Sequence, residues 1–178
     1  MAIELLPRPA IKYISKQGKK DLVGAEIGVL HGFNAENILQ TLPIKKLYLI
    51  DSYECYPEYL DIKTPVFSRV RKDAEKRLAP FADKVEWIIK KSVDALFDIL
   101  NNLDFVYIDG NHAYRYAAQD IYNYWPKVKK GGVLCGHDYY NTTKAREVKK
   151  AVDEFVAEKN LKLYHIFGGG LCDWWIVK

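Results

Sequence analysis

The segment from Asp104 to Tyr139 constrains the fold of this chain more than any other part of the sequence. It contains two strongly apolar runs, FVYID and GVLCGHD, separated by an amphipathic helical pattern and a Gly-Gly turn. Apolar runs joined by a helix are typical of parallel strands in a βαβ unit. The first run ends in Asp109 and the second in His137 and Asp138. Because the carboxyl ends of parallel strands meet at one edge of a sheet, the pattern predicts a site there.

Apolar runs and helical patterns alternate from one end of the chain to the other. Strands are predicted at 22–29, 46–51, 85–89, 105–109, 132–138, 161–167 and in the final LCDWWIVK. Helices are predicted at 8–19, 35–41, 65–79, 114–125 and 143–159, with a short one after Ser92, and the aromatic segment 53–63 as a loop or lid. The sequence therefore predicts an α/β fold in one domain over residues 1–178. Its core would be a doubly wound, mainly parallel seven-stranded sheet with an antiparallel C-terminal hairpin.

Composition limits the classes of protein to which the chain can belong. At 178 residues and 49% hydrophobic, it is long enough for one well-buried domain. No apolar stretch reaches the ~20 residues of a membrane span, and the N-terminus lacks the pattern of a secretion signal. Three widely spaced cysteines predict neither a disulfide framework nor a zinc cluster, and fit a cytoplasmic protein. The net charge of +4 lies on scattered lysine pairs, which favours a solvated surface over a nucleic-acid groove.

The first predicted βα unit, AEIGVLHGFNAENIL, has the features of a ligand-binding turn. Gly28 and Gly32 allow a sharp turn and a close approach to a ligand, although glycines after a strand are often turn residues only. Glu26 could receive an ammonium group, and Asn34 would cap the next helix or add amide hydrogen bonds. Asp51 ends the second strand, 23 positions after Gly28, where doubly wound folds place an acid against ribose hydroxyls. The spacing of the glycines is not the G-x-G-x-x-G of a dinucleotide turn, which argues against NAD.

The second half of the chain supplies the residues suited to proton transfer and metal binding. Asp109 leaves a buried strand and must face solvent, a ligand or a metal. His112, three residues later, is a candidate general base or else a loop histidine stacked on a tyrosine. Asp109 and Asp138 together would hold a hard cation such as Mg²⁺, unless Asp138 only caps a turn. Ser92 is explained fully as an N-cap, and the same position also suits contact with an adenine.

These motifs resemble class I S-adenosylmethionine-dependent methyltransferases along nearly the whole chain. AEIGVLHGFNAENIL is similar to the glycine motif of that family, LYLIDSY to its ribose-binding strand, and FVYIDGNHAYRYAAQDI with GGVLCGHDY to its fourth and fifth strand motifs. The final LKLYHIF and LCDWWIVK resemble its sixth and seventh strands. Among the branches, the chain is most similar to small-molecule O-methyltransferases of the macrocin type and, more distantly, to catechol O-methyltransferase. The resemblance implies the Rossmann-like methyltransferase fold.

The resemblance also implies a role for each candidate residue. The cofactor would be S-adenosylmethionine, with its methionine part at Glu26, Gly28, Gly32 and Asn34, its ribose at Asp51, its adenine at Ser92, and Asp109 in contact with it. His112 and Asp109 would be catalytic, and Asp109 and Asp138 would bind the metal of the O-methyltransferase branch. One departure concerns Tyr139, which stands where relatives carry Asp or Asn as a further metal ligand.

The predicted function is methyl transfer to a hydroxyl of a small molecule. The Asn-Pro-Pro-Tyr signature of amino-group methyltransferases is absent, which favours an oxygen acceptor. Two alternatives stay open, an RNA-directed methyltransferase, suggested by the pI of about 8.8, and a non-catalytic nucleoside-binding module of the same fold. Neither a membrane nor a nucleic acid is the expected partner. The sequence leaves open the acceptor, the metal and the choice between a monomer and a homo-oligomer.

Overall fold

A computed structural model describes residues 8–54, 56, 64–140, 146–166 and 172–178. Five α-helices lie in these ranges: α1 Pro9–Ser15, α2 Phe33–Thr41, α3 Thr64–Leu78, α4 Tyr114–Tyr124 and α5 Arg146–Lys159. The seven strands are β1 Leu22–Ile27, β2 Ile44–Ile50, β3 Val85–Ile88, β4 Leu103–Ile108, β5 Val128–Gly136, β6 Leu163–His165 and β7 Trp174–Val177. Two short 3-10 helices cover Ala79–Phe81 and Asp94–Phe97. No helix among the described residues has the length and apolarity to cross a bilayer.

The strands form one sheet in the order β3-β2-β1-β4-β5-β7-β6. Strands β1 to β5 pair in parallel, and β7 pairs antiparallel with both β5 and β6. The predicted fold class is therefore confirmed, including the antiparallel C-terminal hairpin. Strand order reverses between β1 and β4, and ligands of doubly wound sheets bind outside the carboxyl ends of the strands at such a switch point.

The sheet separates two hydrophobic clusters, one on each face. Alternate residues of β4 show the division, because Phe105 and Tyr107 pack with α1 and α2 while Val106 and Ile108 pack with α4 and α5. A strand buried on both faces is apolar at nearly every position, as the sequence of β4 is. Helices therefore cover both faces, and the carboxyl edge of the sheet is where polar side chains can collect.

Two helix caps differ from the sequence prediction. The sequence predicts Asn34 as the cap of α2, but the cap is Gly32 in a left-handed conformation with φ 75°, and Asn34 lies inside the first turn. Ser92 is predicted to cap the next short helix, but that 3-10 helix begins after Val93 without a side-chain cap. Both side chains instead bind buried acids, Glu26 and Asp120. A partner supplied by tertiary structure has outcompeted the local cap in each case.

Several predicted segments lie partly outside the described residues. The loop or lid at 53–63 is described only at 53, 54 and 56, which have no regular structure. The predicted start of the helix at 143 and the glycine turn at 168–170 also lie outside. The predicted helix at 8–19 is shorter than expected, since α1 ends at Ser15.

Gly28 is required by the packing of β1 against β4. It has φ 84°, and a Cβ at this position would lie 2.1 Å from the backbone oxygen of Asp109. Its N–H donates to Ile50 and the N–H of Asp109 donates to Ile27, so both neighbouring strands fix this turn. A glycine is therefore needed here by the protein itself, whatever ligand the turn contacts.

Replacement of Gly28 by alanine should destabilise the fold more than a glycine-to-alanine change at a position where the added Cβ meets no other atom. The matched control is Gly18→Ala, since Gly18 also has a left-handed φ of 66° but a Cβ added there would meet no atom within 4 Å. We expect roughly 1–2 kcal/mol for Gly18→Ala from backbone strain alone and ~3 kcal/mol or more for Gly28→Ala because of the clash. Urea unfolding measures both, and equal losses would contradict the close approach.

Candidate active site

A cavity of about 420 Å³ opens at the carboxyl ends of β1, β2 and β4. This volume lies in the usual range of small-molecule sites. Six of the predicted site residues lie on its wall: Gly28, Asn34, Asp51, Ser92, Asp109 and His112. Glu26 and Gly32 do not, since Glu26 is buried behind the wall and Gly32 packs towards Leu78. Asp138 is buried behind His112.

Asp51 organises the turn after β1. Its Oδ2 accepts hydrogen bonds from the backbone N–H groups of Val29 and Leu30, both at 2.9 Å, and its Oδ1 accepts from the N–H of Tyr53 at 2.8 Å. Leu30 and Tyr53 have left-handed φ angles of 48° and 50°, which are uncommon for such residues and need support from their surroundings. Asp51 thus shapes the cavity wall, and each carboxylate oxygen can accept more than one hydrogen bond.

Glu26 and Asn34 form a buried polar pair behind the cavity. The Asn34 amide donates to Glu26 Oε1 at 2.8 Å. Burial raises the pKa of Glu26 to about 8, while the hydrogen bond from Asn34 opposes the rise. Among the described residues, Glu26 Oε2, Asn34 Oδ1 and Asn111 Nδ2 are buried without a hydrogen-bond partner. Such atoms are costly unless something pairs with them, so this end of the cavity suits a polar ligand group.

Asp109 forms an ion pair with Arg8, a residue that the sequence did not single out. Arg8 Nη1 donates to Asp109 Oδ2 at 2.9 Å and to the Tyr107 hydroxyl at 2.8 Å. The Tyr107 hydroxyl in turn donates to Asp173 at 2.9 Å, and Asp173 accepts the N–H of Ala10 at the start of α1. Burial alone would raise the pKa of Asp109, but neighbouring His112 and Arg8 hold it below its ordinary value.

His112 lies between the two acids that end β4 and β5. Its Nε2 is 2.8 Å from Asp138 Oδ2 and 3.7 Å from Asp109 Oδ1. Burial would lower the pKa of His112, but the two carboxylates raise it to about 10. The imidazole is therefore protonated at neutral pH in this arrangement. That differs from the expected pKa near neutrality, because the sequence did not show that both acids reach the same ring.

Asp109, His137 and Asp138 form a cluster with the chemistry of a metal site. One ligand atom from each lies within 4.8 Å of the others. Asp138 has a left-handed φ of 61°, a conformation that is found more often at functional sites. Tyr139 takes no part, because its hydroxyl donates to Asp153 at 2.6 Å. His137 thus completes a set of three donors where the sequence predicted two.

The cavity wall also carries a buried acid from α4, Asp120. The Ser92 hydroxyl donates to Asp120 Oδ1, and the Tyr124 hydroxyl donates to the backbone oxygen of Ser92 at 2.7 Å. Burial raises the pKa of Asp120 to about 7, against the hydrogen bond from Ser92. The sequence held a signal for Asp120, an acid on the apolar side of an amphipathic helix. Arg8 gave no such signal, because it lies about a hundred residues from its partners.

The cavity wall therefore combines polar and apolar side chains. Arg8, Asp109 and His112 form one polar group, and Ser92 and Asp120 form another. Asp51 adds a carboxylate, and the apolar side chains are Ile27, Val29, Leu30, Ile50 and Phe67. A ligand that has both polar groups and apolar surface matches this lining.

A protein-family model described as a methyltransferase domain matches residues 25–139, well over half of the chain. The chain belongs to this methyltransferase family. The matched range begins in β1 and ends just after β5, so it contains every predicted site residue. The family resemblance drawn from the sequence is confirmed.

Individual relatives of this chain are distant. An uncharacterized protein of Acanthamoeba polyphaga mimivirus is 29% identical over 148 residues, which are 79% of this chain and 62% of the relative. The O-methyltransferase TomG of Streptomyces achromogenes, solved in complex with SAM, has a TM-score of 0.71 at 15% identity, over 96% of this chain and 80% of that one. A candidate rRNA methylase of Clostridium thermocellum has a TM-score of 0.71 at 14% identity, over 95% of both chains. At such identities these structures show the shared fold.

The raised pKa of Asp120 makes a prediction about stability and pH. Between about pH 4 and pH 7 the folded protein keeps a proton on Asp120 that the unfolded chain has released, so stability falls as the pH rises through this window. Asp120→Asn keeps an acceptor for Ser92 but cannot ionise. From pH 5 to pH 8 the wild type should lose ~2 kcal/mol relative to this variant. Urea unfolding at both pH values, with the exposed Asp83→Asn as control, measures the difference. Parallel pH profiles for wild type and Asp120→Asn would contradict it.

Proposed function

We propose that this protein transfers a methyl group from S-adenosylmethionine to a hydroxyl of a small molecule. The observation that carries the proposal is the contact of His112 with Asp138 beside Asp109, on the wall of a cavity whose other parts suit a nucleoside. The likeness to TomG, an O-methyltransferase solved in complex with SAM, supports this function. When bound, S-adenosylmethionine supplies an electrophilic methyl group on a positively charged sulfur.

The residues present fit this cofactor at three positions along the wall. Asp51 would accept hydrogen bonds from the ribose hydroxyls, because its two carboxylate oxygens can accept further hydrogen bonds beside those from the turn. Ser92, held by Asp120, would meet the adenine. The unpaired buried atoms near Asn34 and Asn111 lie where the methionine part would bind. Gly28 would contribute an open turn, and Glu26 and Gly32 would act from behind the wall.

His112 would remove the proton from the acceptor hydroxyl. Its pKa of about 10 is caused by the two carboxylates beside it, Asp109 and Asp138, against the effect of burial. Positive charge beside these acids would weaken their hold on the imidazolium, so the pKa of His112 would fall towards the range of a general base. Most of the remaining rate enhancement would come from holding donor and acceptor in line.

A divalent cation would bind through Asp109 and Asp138, with His137 as an additional donor. Two carboxylates suit Mg²⁺, and an imidazole is also accepted by Mn²⁺ and the later transition metals. These residues would orient the acceptor oxygen and lower its pKa through the ion. The Arg8 guanidinium already neutralises part of the negative charge of Asp109, so the protein does not need a metal ion to balance that charge.

The cofactor is tested by calorimetric titration of the wild type and Asp51→Ala with S-adenosylhomocysteine. We expect binding by the wild type and an affinity ~10-fold or more lower in the variant, because it loses both the ribose acceptor and the support of the turn. Asp83→Ala removes an exposed acid outside the cavity wall and is the matched control. Absence of binding by the wild type would refute the proposed cofactor, and unchanged affinity in Asp51→Ala would remove Asp51 from the site.

The reaction is tested by S-adenosylhomocysteine production with a panel of hydroxylated small molecules. His112→Ala should lower kcat roughly 100-fold or more without abolishing cofactor binding, whereas His165→Ala, an exposed histidine outside the cavity wall, should not. The same assay, run in EDTA and then with added Mg²⁺, tests whether the reaction needs the divalent cation.

A structured RNA in the panel tests the second candidate acceptor, which the candidate rRNA methylase and the pI of about 8.8 favour. Turnover on RNA that falls steeply with salt would replace the small-molecule proposal. Cofactor binding without turnover on any acceptor would favour a non-catalytic nucleoside-binding module. Full turnover by His112→Ala would assign the proton transfer to another group.

A further inference from the structure

We propose that the Arg8–Asp109 ion pair is the receptor for the amino-acid end of the methyl donor. Arg8 binds its carboxylate and Asp109 binds its ammonium group. The inference rests on the proposed function and adds to it a residue, Arg8, that belongs to none of the motifs in the sequence.

The first support is the match of charges. An α-amino acid carries a carboxylate and an ammonium group on the same carbon, so its receptor needs adjacent charges of opposite sign. Arg8 Nη1 and Asp109 Oδ2 are 2.9 Å apart, and both residues lie on the cavity wall. The contacts of Arg8 with Asp109 and Tyr107 use only Nη1. Three of the five guanidinium donors are therefore on Nε and Nη2, in the planar arrangement that suits a carboxylate.

The second support is the position of the pair along the cavity. Asp109 packs against Gly28, and the turn that begins at Gly28 is held by Asp51, the proposed ribose acid. The amino-acid end of the donor is joined to the ribose, so it must lie next to this turn. The pair therefore lies beside the turn that Asp51 holds, as the covalent link between the amino-acid end and the ribose requires.

The third support is the charge of the other wall residues. The lysine on the wall, Lys90, is half exposed and paired with Asp98 at 2.7 Å. Among the acids expected to hold an ammonium group, Glu26 lies behind the wall and has a raised pKa. Asp109 lies on the cavity wall in direct contact with Arg8. His112 lies on the same wall, but its Nε2 is already 2.8 Å from Asp138 Oδ2. Among the described residues, Arg8 therefore has guanidinium donors for a carboxylate directly beside Asp109.

Arg8 is also fixed in place before any ligand binds. Tyr107 accepts from Nη1 and lies beside the guanidinium, 5.5 Å from ring centroid to Cζ. Asp173 anchors both the Tyr107 hydroxyl and the first turn of α1, the helix that Arg8 precedes. A cation held in this way loses little side-chain entropy on binding a carboxylate, which strengthens the interaction.

The test compares two ligands that differ only at the amino-acid end. S-adenosylhomocysteine carries that end, and 5′-methylthioadenosine keeps the nucleoside and thioether without it. Calorimetry on the full chain should show that Arg8→Gln weakens S-adenosylhomocysteine ~10-fold or more and changes 5′-methylthioadenosine by less than ~2-fold. Arg8→Lys, which keeps the charge, should lose less. Lys12→Gln, an exposed position on the same helix outside the cavity wall, should bind both ligands like the wild type.

The outcomes separate this inference from the proposed function. Loss of both ligands to the same degree in Arg8→Gln would mean a structural role only and would overturn the inference. Unchanged binding of S-adenosylhomocysteine in Arg8→Gln, or equal affinity of the wild type for the two ligands, would overturn it while the cofactor proposal stands. A wild type that binds neither ligand would overturn both.

Discussion

The parallel pairing of β1 with β4 is the interaction on which the rest of the structure depends. These strands lie at the point where strand order reverses, and two glycines of the first βα unit leave room for atoms of the β4 segment. A Cβ on Gly24 would lie 2.3 Å from the ring of Phe105, and one on Gly28 would overlap the backbone of Asp109. This approach sets the turn after β1 directly beside the end of β4. The residues of two distant parts of the chain thus become opposite walls of one cavity.

Charge neutrality inside the protein explains the composition of the site. A carboxylate that ends a buried strand is unstable unless cations or hydrogen-bond donors surround it. Asp109 is balanced by Arg8 and His112, and Asp138 by His112 and His137. Each partner holds the next in position, so a change in one group alters the surroundings of the others. The same groups that stabilise the buried acids are therefore available, already oriented, for a charged ligand.

The elements of the fold follow from local patterns in the sequence, and their boundaries do not. Continuous apolar runs marked the strands and runs with period 3.6 marked the main helices, because the strands are buried on both faces and the helices on one. The caps predicted at Asn34 and Ser92 were wrong because each side chain has a choice of partners. Local geometry offers a backbone N–H, whereas the folded protein offers Glu26 to Asn34 and Asp120 to Ser92. A buried acid without a hydrogen-bond donor is costly, so burial favours these pairings.

The sequence by itself determined the class of fold, the edge of the sheet that carries the site and the acids and glycines that follow each strand. These features depend on residue type and spacing, which are local. Only the tertiary structure decided that Arg8 reaches Asp109, that His112 contacts two acids at once, and that Glu26 lies behind the cavity wall. Each of these depends on distances between elements that are far apart in the chain. Such distances are set by packing, and no local pattern encodes them.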